Sequence, residues 1–165
     1  LLYNSIECLW YLKREEYYIV ETKEQLKNFW DMVVSRGEEG IILKDLNKPY
    51  VYGGRKNWWK VKPIFENSFE VFDYEYGKGK NKDKISMLKV KDKSERVISG
   101  VGSGLTDSTK DEILRYESSG QLIGRIVDVE YNEISKNSDG SYSLRFPRFL
   151  KFRHDKNEPD TVNVK

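Results

Sequence analysis

The sequence contains one cysteine (Cys8) and one histidine (His154) among its 165 residues. A single cysteine excludes an intrachain disulfide and a multi-cysteine zinc site, and it suits a reducing cytosol. There is no apolar run of membrane-spanning length and no signal peptide, so we expect a cytoplasmic protein without membrane contact. Because the sequence starts at Leu1 rather than at methionine, we also expect that part of the protein lies upstream.

The net charge is also small, because the chain has 29 basic and 27 acidic residues and therefore a formal charge of +2. The basic residues are concentrated in two stretches, residues 78–84, which contain four lysines and one acid, and residues 145–156. Local basic stretches can hold phosphates even when the whole chain is nearly neutral. The alternative is that each run merely solvates a loop.

Aromatic residues make up 13% of the chain, which predicts a packed core in one ordinary domain or two small ones. Residues 17–20 are aromatic and β-branched and predict a short strand. Thr22 and Gln25 form a capping-box pattern at the start of a helix with an apolar stripe. Residues 40–43 predict a strand buried on both faces or nearly so, and residues 58–62 predict a second strand.

From residue 65 onward the pattern changes to short strands separated by turns. Alternation changes phase near Val71, which predicts a bulge, and residues 137–140 predict a hairpin turn. The predicted strands cover residues 65–76, 85–91, 96–101, 123–131 and 143–153, the last interrupted by Pro147, and a helix covers residues 107–116. Five strands with one helix between the third and fourth follow the order of an OB-fold, a partly open Greek-key barrel. The boundary is expected at residues 63–67.

Three short segments combine charge with a strand. Residues 39–44 place Glu39 and Lys44 at the two ends of an apolar strand. Strand alternation would place Lys60 and Lys62 on one face. Residues 153–156 form a charged cluster after the last strand. Each segment alone has an ordinary explanation, namely the solvated end of a strand, the wet face of a sheet or a surface ion pair. Their occurrence together, in this order, favours a functional explanation.

These segments resemble motifs of the covalent nucleotidyltransferases, the superfamily of ATP-dependent ligases and mRNA capping enzymes. Residues 39–44 (EGIILK) resemble motif IV, and residues 59–62 (WKVK) resemble motif V. Residues 145–156 (RFPRFLKFRHDK) are similar to motif VI of DNA ligases, and residues 52–57 (YGGRKN) occupy the glycine-and-basic stretch between motifs IV and V. The loop GVGSGL at residues 100–105 and the strand IGRIV at residues 123–127 look most like ligases of large tailed bacteriophages.

The resemblance implies an α+β chain, with the C-terminal part of a nucleotidyltransferase (adenylation) domain at residues 1–64 and a five-stranded OB-fold β-barrel at residues 65–165. It implies that Glu39 lies near the α-phosphate of ATP and helps to hold Mg²⁺. It further implies that Lys60 and Lys62 face the triphosphate. For Lys44 it implies a weaker role in nucleotide or DNA binding.

For motif VI, the resemblance implies that Arg153 and Lys156 orient the β- and γ-phosphates of ATP as the leaving group. Asp155 would assist or position them. The expected function is an ATP-dependent DNA ligase of bacteriophage type, active in DNA replication and repair in the bacterial host cytoplasm. Its expected partner is nicked double-stranded DNA, with residues 78–84 as a candidate backbone contact, and the complete enzyme is expected to be monomeric.

The sequence departs from the family in one essential feature. The Lys-x-Asp-Gly motif, whose lysine accepts AMP, is absent, and so are the adenine- and ribose-binding motifs that would precede motif IV. We therefore expect this chain to be inactive without the N-terminal half of the ligase, and less stable or more prone to aggregation than the complete enzyme. His154 stands where the family often has glutamate and is interpreted as a local substitution.

Two other functions remain open from the sequence. A capping-type guanylyltransferase shares motifs IV and V but has a different motif VI. A non-catalytic OB-fold module would bind nucleic acid through a basic groove and aromatic residues. An NAD-dependent ligase would need a cysteine zinc site, and RNA-joining ligases often lack this kind of OB domain, so DNA is the expected substrate.

Overall fold

A computed structural model describes residues 17–53, 56–79 and 82–164 of the chain. These residues form two compact units, of which the first ends at Val61 and the second begins at Lys62. The assignment of domains at residues 1–64 and 65–165 stays a prediction. Within the described ranges, no helix is long and apolar enough to cross a bilayer. Cys8, Gly54, Arg55 and Lys80 lie outside the described residues.

The first unit contains one described helix, α1 (Lys23–Ser35). Its start is the predicted capping box, because the Thr22 hydroxyl accepts a hydrogen bond from the backbone N–H of Gln25 and the Gln25 side chain accepts one from the N–H of Thr22. Residues 17–20 are not a strand, so that prediction was wrong. Instead, Tyr18 packs its ring against Phe29 of the helix, with the ring centroids 4.5 Å apart.

Two short antiparallel strands, β1 (Ile41–Lys44) and β2 (Trp58–Val61), complete the described part of this unit. The prediction that the first of them is buried on both faces was wrong. Ile41 is 8% exposed, whereas Ile42, which points to the opposite face, is 56% exposed. Strand side chains alternate between the two faces of a sheet, so the described residues cover one face of this hairpin and leave the other in solvent.

The second unit is built on a five-stranded antiparallel sheet. In chain order its elements are β3 (Phe65–Tyr76), β4 (Ile85–Lys91), β5 (Ile98–Val101), α2 (Asp107–Ser118), β6 (Ile126–Tyr131), β7 (Glu133–Lys136), β8 (Tyr142–Arg145) and β9 (Arg148–Phe152). The sheet order is β5-β4-β3-β6-β9, and β7 pairs with β8 as a hairpin. A parallel bridge between Ser103, after β5, and Arg148 of β9 joins the two edges of the sheet into a barrel, and a second bridge joins Val97, before β5, to Tyr142 of β8.

The barrel interior is filled by apolar side chains from every strand of the sheet and from α2. Phe69, Leu88 and Ile113 are fully buried there. The predicted bulge is confirmed, because the register between β3 and β4 shifts between Val71 and Asp73. The predicted hairpin turn at residues 137–140 connects β7 and β8. Five strands with the helix between β5 and β6 confirm the predicted OB-type order.

The last predicted strand, residues 143–153, is divided into β8 and β9. The division falls at Phe146 and Pro147. Phe146 has a left-handed backbone (φ 54°), a conformation that a strand cannot contain, and Pro147 has no backbone N–H for a ladder. The prediction of a single strand over residues 143–153 was therefore wrong, although it placed the interruption correctly at Pro147.

A buried carboxylate holds the end of the chain against the barrel. Asp92, which is 1% exposed, accepts hydrogen bonds from the Ser94 hydroxyl and from the backbone N–H groups of Val97 and Val162. Burial alone would raise the pKa of Asp92, but these hydrogen bonds outweigh it and hold the pKa below its ordinary value of 3.8. The ionised carboxylate is therefore a structural group.

We expect Asp92→Asn to lower the free energy of unfolding at pH 7 by about 1–3 kcal/mol. This is the usual cost when buried hydrogen-bond donors lose part of their acceptor, here the carboxylate. Since the pKa is lower in the folded state, the stabilisation is complete above the unfolded-state value and is lost as the pH falls below about 4. Urea unfolding at pH 7 and at pH 3 measures this difference. A gap between wild type and variant that is the same at both pH values contradicts the assignment.

Candidate functional site

In the first unit, an acid and a base meet across the β1–β2 hairpin. Glu39 precedes β1, and its carboxylate accepts a hydrogen bond from the Lys60 ammonium of β2 at 3.2 Å. Both side chains are well exposed, so the pair is of the weak surface type that solvent and other ions compete with readily. The contact brings one candidate residue of motif IV and one of motif V together.

Lys44 and Lys62 have aromatic partners. The Lys44 ammonium lies 4.2 Å from the centre of the Trp58 ring, its partner across the strand pair. Lys62 lies beyond the end of β2, in the second unit, with its ammonium 5.9 Å from the ring centre of Phe146. The strand predicted at residues 58–62 ends at Val61. The placement of Lys60 and Lys62 on one face of a strand stays a prediction.

In the second unit, Arg153 follows β9 directly and is held beside the start of β6. Its backbone N–H donates to the carbonyl of Ile126 at 2.8 Å. The strand register places Ser68 of β3, Asp128 of β6 and Lys151 of β9 side by side on the sheet. The Arg153 side chain contacts Asp128 of this row.

All three guanidinium nitrogens of Arg153 donate to carboxylates. Nε and Nη2 donate to the two oxygens of Asp155 at 2.8 and 2.7 Å, and Nη1 donates to Asp128 at 3.2 and 3.3 Å. The first pair is the bidentate arrangement in which a guanidinium also binds phosphate oxygens. The Arg153 guanidinium, through these hydrogen bonds, holds the pKa of Asp155 well below its usual range.

Lys156 is paired with Asp160, four residues further along the chain. Asp160 also accepts a hydrogen bond from the backbone N–H of Ser68 at 2.8 Å, and its own backbone N–H donates to the Ser68 carbonyl at 2.8 Å. Partial burial would raise the pKa of Asp160, but the Lys156 ammonium and the Ser68 N–H lower it overall. Asp160 thus fixes both the segment after motif VI and the position of Lys156.

The cluster around the end of β9 is balanced in charge. Its cations are Lys151, Arg153 and Lys156, and its anions are Asp128, Asp155 and Asp160. A phosphate group that binds these cations therefore competes with the carboxylates. Asp155 is the group most easily displaced, because its side chain is 70% exposed, whereas that of Asp128 is 3% exposed.

The remaining candidate residues are less closely tied to other groups. In the basic stretch at residues 78–84, Lys78 and Lys82 are exposed and the Lys84 ammonium lies 3.9 Å from Asp107. The His154 imidazole lies 4.0 Å from Glu112 and beside the ring of Tyr116. The interpretation of His154 as a local substitution stays a prediction.

Sequence reasoning did not identify Asp128 and Asp160, the two acids that hold Arg153 and Lys156. A signal was present for Asp128, because an acid in the middle of the apolar run from Ile126 to Val129 is an unusual strand residue. For Asp160 there was none, since it follows the motif in a short segment of turns.

A metal site made from protein side chains alone is absent from the described ranges, where no group of three or more histidine, cysteine or acidic side chains is placed to hold an ion. Mg²⁺ commonly keeps several waters and binds one or two carboxylates together with substrate phosphates. The exposed Glu39 carboxylate fits that mode. It does not require a preformed cage.

Comparison with known proteins covers nearly the whole chain. Residues 2–62 match the family described as ATP dependent DNA ligase domain, and residues 76–153 match the DNA ligase OB-like domain. A DNA ligase of Methanococcus maripaludis is 35% identical, covering 82% of this chain and 27% of the relative. A DNA ligase of Archaeoglobus fulgidus is 31% identical, covering 92% of this chain and 31% of the relative.

The fold has solved counterparts as well. The structure named Pmar-Lig_Pre. is 29% identical in sequence and superimposes with a TM-score of 0.70 over 81% of this chain and 31% of its own. The fold and the two matched regions thus indicate a ligase-type OB domain that follows the adenylation region of a ligase. The chain matches domains of ATP-dependent DNA ligases over both of its units and spans about a third or less of the length of the relatives it matches.

These findings confirm the expected fold class and the expected family. The two alternative functions, a capping-type guanylyltransferase and a non-catalytic OB-fold module, are not favoured, because both matched domains are those of DNA ligases. The bacteriophage type is not confirmed, and it stays a prediction together with the roles of the individual site residues.

Proposed function

We propose that this chain is the C-terminal portion of an ATP-dependent DNA ligase that seals nicks in duplex DNA through enzyme-AMP and DNA-adenylate intermediates. The observation that supports this best is the Arg153 cluster. A guanidinium that follows the last barrel strand holds a displaceable carboxylate in the bidentate geometry that suits a phosphate. A domain that only binds DNA does not need an arginine whose guanidinium is already oriented for bidentate binding of a phosphate.

Arg153 and Lys156 would act on the β- and γ-phosphates of ATP when AMP is transferred to the enzyme. Negative charge accumulates on these phosphates as the bond to the α-phosphate breaks, and fixed cations stabilise it. Asp155 would keep the guanidinium oriented until the phosphates replace it. The nucleophile itself would come from ligase sequence outside these 165 residues, since the chain contains no Lys-x-Asp-Gly motif.

In the first unit, Lys60 and Glu39 would act near the α-phosphate. Lys60 would stabilise the charge that develops on phosphorus, and Glu39 would help to hold Mg²⁺, which screens the phosphates and polarises their oxygens when bound. Their mutual contact keeps both side chains near each other before ATP arrives. Lys62 would add charge near the triphosphate, and Lys44 would contact nucleotide or DNA.

Nicked double-stranded DNA is the partner we propose for the complete protein. The exposed lysines Lys78 and Lys82 suit a contact with the phosphate backbone, which needs charge and no particular base sequence. We further propose that the complete enzyme acts as a monomer. Its bacteriophage origin, its place in the host cytoplasm and its role in replication and repair stay predictions.

Enzyme-adenylate formation tests the proposal. A protein that joins this chain to an upstream adenylation portion is incubated with ATP labelled at the α-phosphate, with and without Mg²⁺. We expect a covalent protein-AMP adduct that requires the metal and is strongly reduced by Glu39→Gln. The present chain alone should form none. Absence of an adduct with the longer protein, together with DNA binding by the short chain that is indifferent to ATP and Mg²⁺, would refute the proposal in favour of a binding module.

A further inference from the structure

Asp128 is a buried acid of the barrel sheet that none of the ligase motifs includes. We propose that it is a positioning residue, which holds the Arg153 guanidinium in place so that one edge of its fork stays available to a phosphate. The inference rests on the proposed function, because it specifies how the arginine of motif VI is prepared for the polyphosphate of ATP.

The burial of Asp128 requires an explanation. The residue is 2% exposed, and a buried carboxylate is costly unless cations and hydrogen bonds compensate for it. Its Oδ1 accepts a hydrogen bond from the Ser68 hydroxyl at 2.7 Å, and both of its oxygens accept from Nη1 of Arg153. Ser68 and Arg153 together fix the position of the carboxylate.

The two acids that bind Arg153 differ in how readily they can leave. Asp155 occupies the Nε and Nη2 edge of the guanidinium from a largely exposed position, two residues further along the chain. Asp128 occupies Nη1 from within the sheet. A phosphate that approaches from solvent therefore exchanges with Asp155, while Asp128 continues to hold the remaining nitrogen. Arg153 then presents its fork without having to order a free side chain, which makes binding less costly.

A second acid of the barrel provides a matched control. Asp73 of β3 binds the Lys89 ammonium of β4 at 2.9 Å, and neither residue belongs to a ligase motif. Asp73→Asn removes a paired carboxylate by the same substitution without removing a contact of Arg153. Asp128→Asn keeps the shape of the side chain and an oxygen that can accept from Ser68, but removes the charge that holds Nη1.

The test uses the complete ligase and separates two steps. Adenylation by ATP involves the β- and γ-phosphates, whereas sealing of a nick that already contains the DNA-adenylate does not. We expect Asp128→Asn to lower kcat/KM for adenylation about tenfold, the usual effect of losing a hydrogen bond between charged groups. Sealing of the preadenylated nick by Asp128→Asn, and adenylation by Asp73→Asn, should stay near wild type.

A double-mutant cycle decides whether Asp128 acts through Arg153. If it does, Asp128→Asn should add no further loss of adenylation in the Arg153→Ala background. Independent losses in that cycle, or an equal loss in the sealing of the preadenylated nick, would overturn the proposal. Ser68→Ala serves as a milder second variant if Asp128→Asn does not fold, and unchanged adenylation in it would likewise count against the proposal.

Failure of the proposed function gives a different result. Wild-type enzyme that forms no adenylate refutes the ligase assignment and leaves Asp128 to be judged on the present chain. There, the probe is inorganic tripolyphosphate, and the readout is the NMR signal of the Arg153 Nε–H group. A shift that Asp128→Asn abolishes supports the positioning role, and equal shifts in both proteins or no shift in wild type overturn it.

Discussion

Replacing Arg153 with alanine is expected to slow the transfer of AMP from ATP to the complete ligase by about 100- to 1,000-fold, the typical effect of removing one donor that stabilises developing charge. The reason is the position of the guanidinium. Its Nε and Nη2 atoms form a fork that is now occupied by Asp155 and that suits two phosphate oxygens. Without it, the leaving pyrophosphate loses its bidentate partner. The rate of adduct formation in a single turnover measures the effect.

The same variant should still seal a nick that already contains the DNA-adenylate, because pyrophosphate has left before that step. This retained step is the internal control for folding, which is needed because Arg153→Ala also leaves the buried Asp128 without its main counterion. Arg153→Lys, which restores the charge without the fork, should recover only part of the rate. Equal losses in both steps would mean that Arg153 is structural.

The second large effect is expected at Gly104, in the loop between β5 and α2. A Cβ atom at this residue would lie 2.3 Å from the backbone oxygen of Phe149 in β9, and the backbone φ of +85° is one that other residues rarely adopt. This close approach lies beside the hydrogen bond from the Phe149 N–H to the Ser103 carbonyl, where the barrel closes. Because the added Cβ would meet backbone atoms, the contact cannot be relieved by the movement of a flexible side chain.

We therefore expect Gly104→Ala to reduce the free energy of unfolding by about 2–5 kcal/mol, combining backbone strain with overpacking. Gly120→Ala is the matched control, because Gly120 also has a left-handed φ (+69°) but no atom within 4 Å of the added Cβ. The control should lose about 1–2 kcal/mol from backbone strain alone. Urea unfolding of the two variants measures the difference, and similar losses in both would show that the contact with β9 is unimportant.

Much of the fold was predictable, because it depends on neighbouring residues. The capping box at Thr22, the bulge near Val71 and the turn at residues 137–140 follow from local backbone chemistry, and all three are present. The order of strands around α2 follows from the same local patterns. These elements are therefore visible in the sequence before any tertiary contact is known.

Two of the errors depended on tertiary contacts, and the third on a local backbone conformation. The aromatic residues at 17–20 favour a strand, but a strand needs a partner, and Tyr18 packs on α1 instead. An apolar run such as residues 41–43 does not reveal whether one or both faces will be covered. Phe146 adopts a left-handed backbone that its residue type does not predict.

The residues of the candidate site that lie in motifs were predictable, and the two acids that bind them from outside the motifs were not. Glu39, Lys60, Arg153 and Lys156 lie in recognisable motifs, whereas Asp128 and Asp160 bind those cations from a different strand and from a later segment. Whether a buried acid is tolerated depends on the partners that folding brings to it. The charge balance around motif VI is thus a property of the tertiary structure.

The most direct test of the central claim is ATP-dependent nick sealing by a protein that joins this chain to an upstream adenylation portion. The substrate is a duplex with one nick that bears a 5′-phosphate. The account predicts a sealed strand only when ATP and Mg²⁺ are both present, and none from the present chain alone. If the longer protein adds no sealed product under these conditions while it binds the nicked duplex, the assignment of this chain to a working DNA ligase is contradicted.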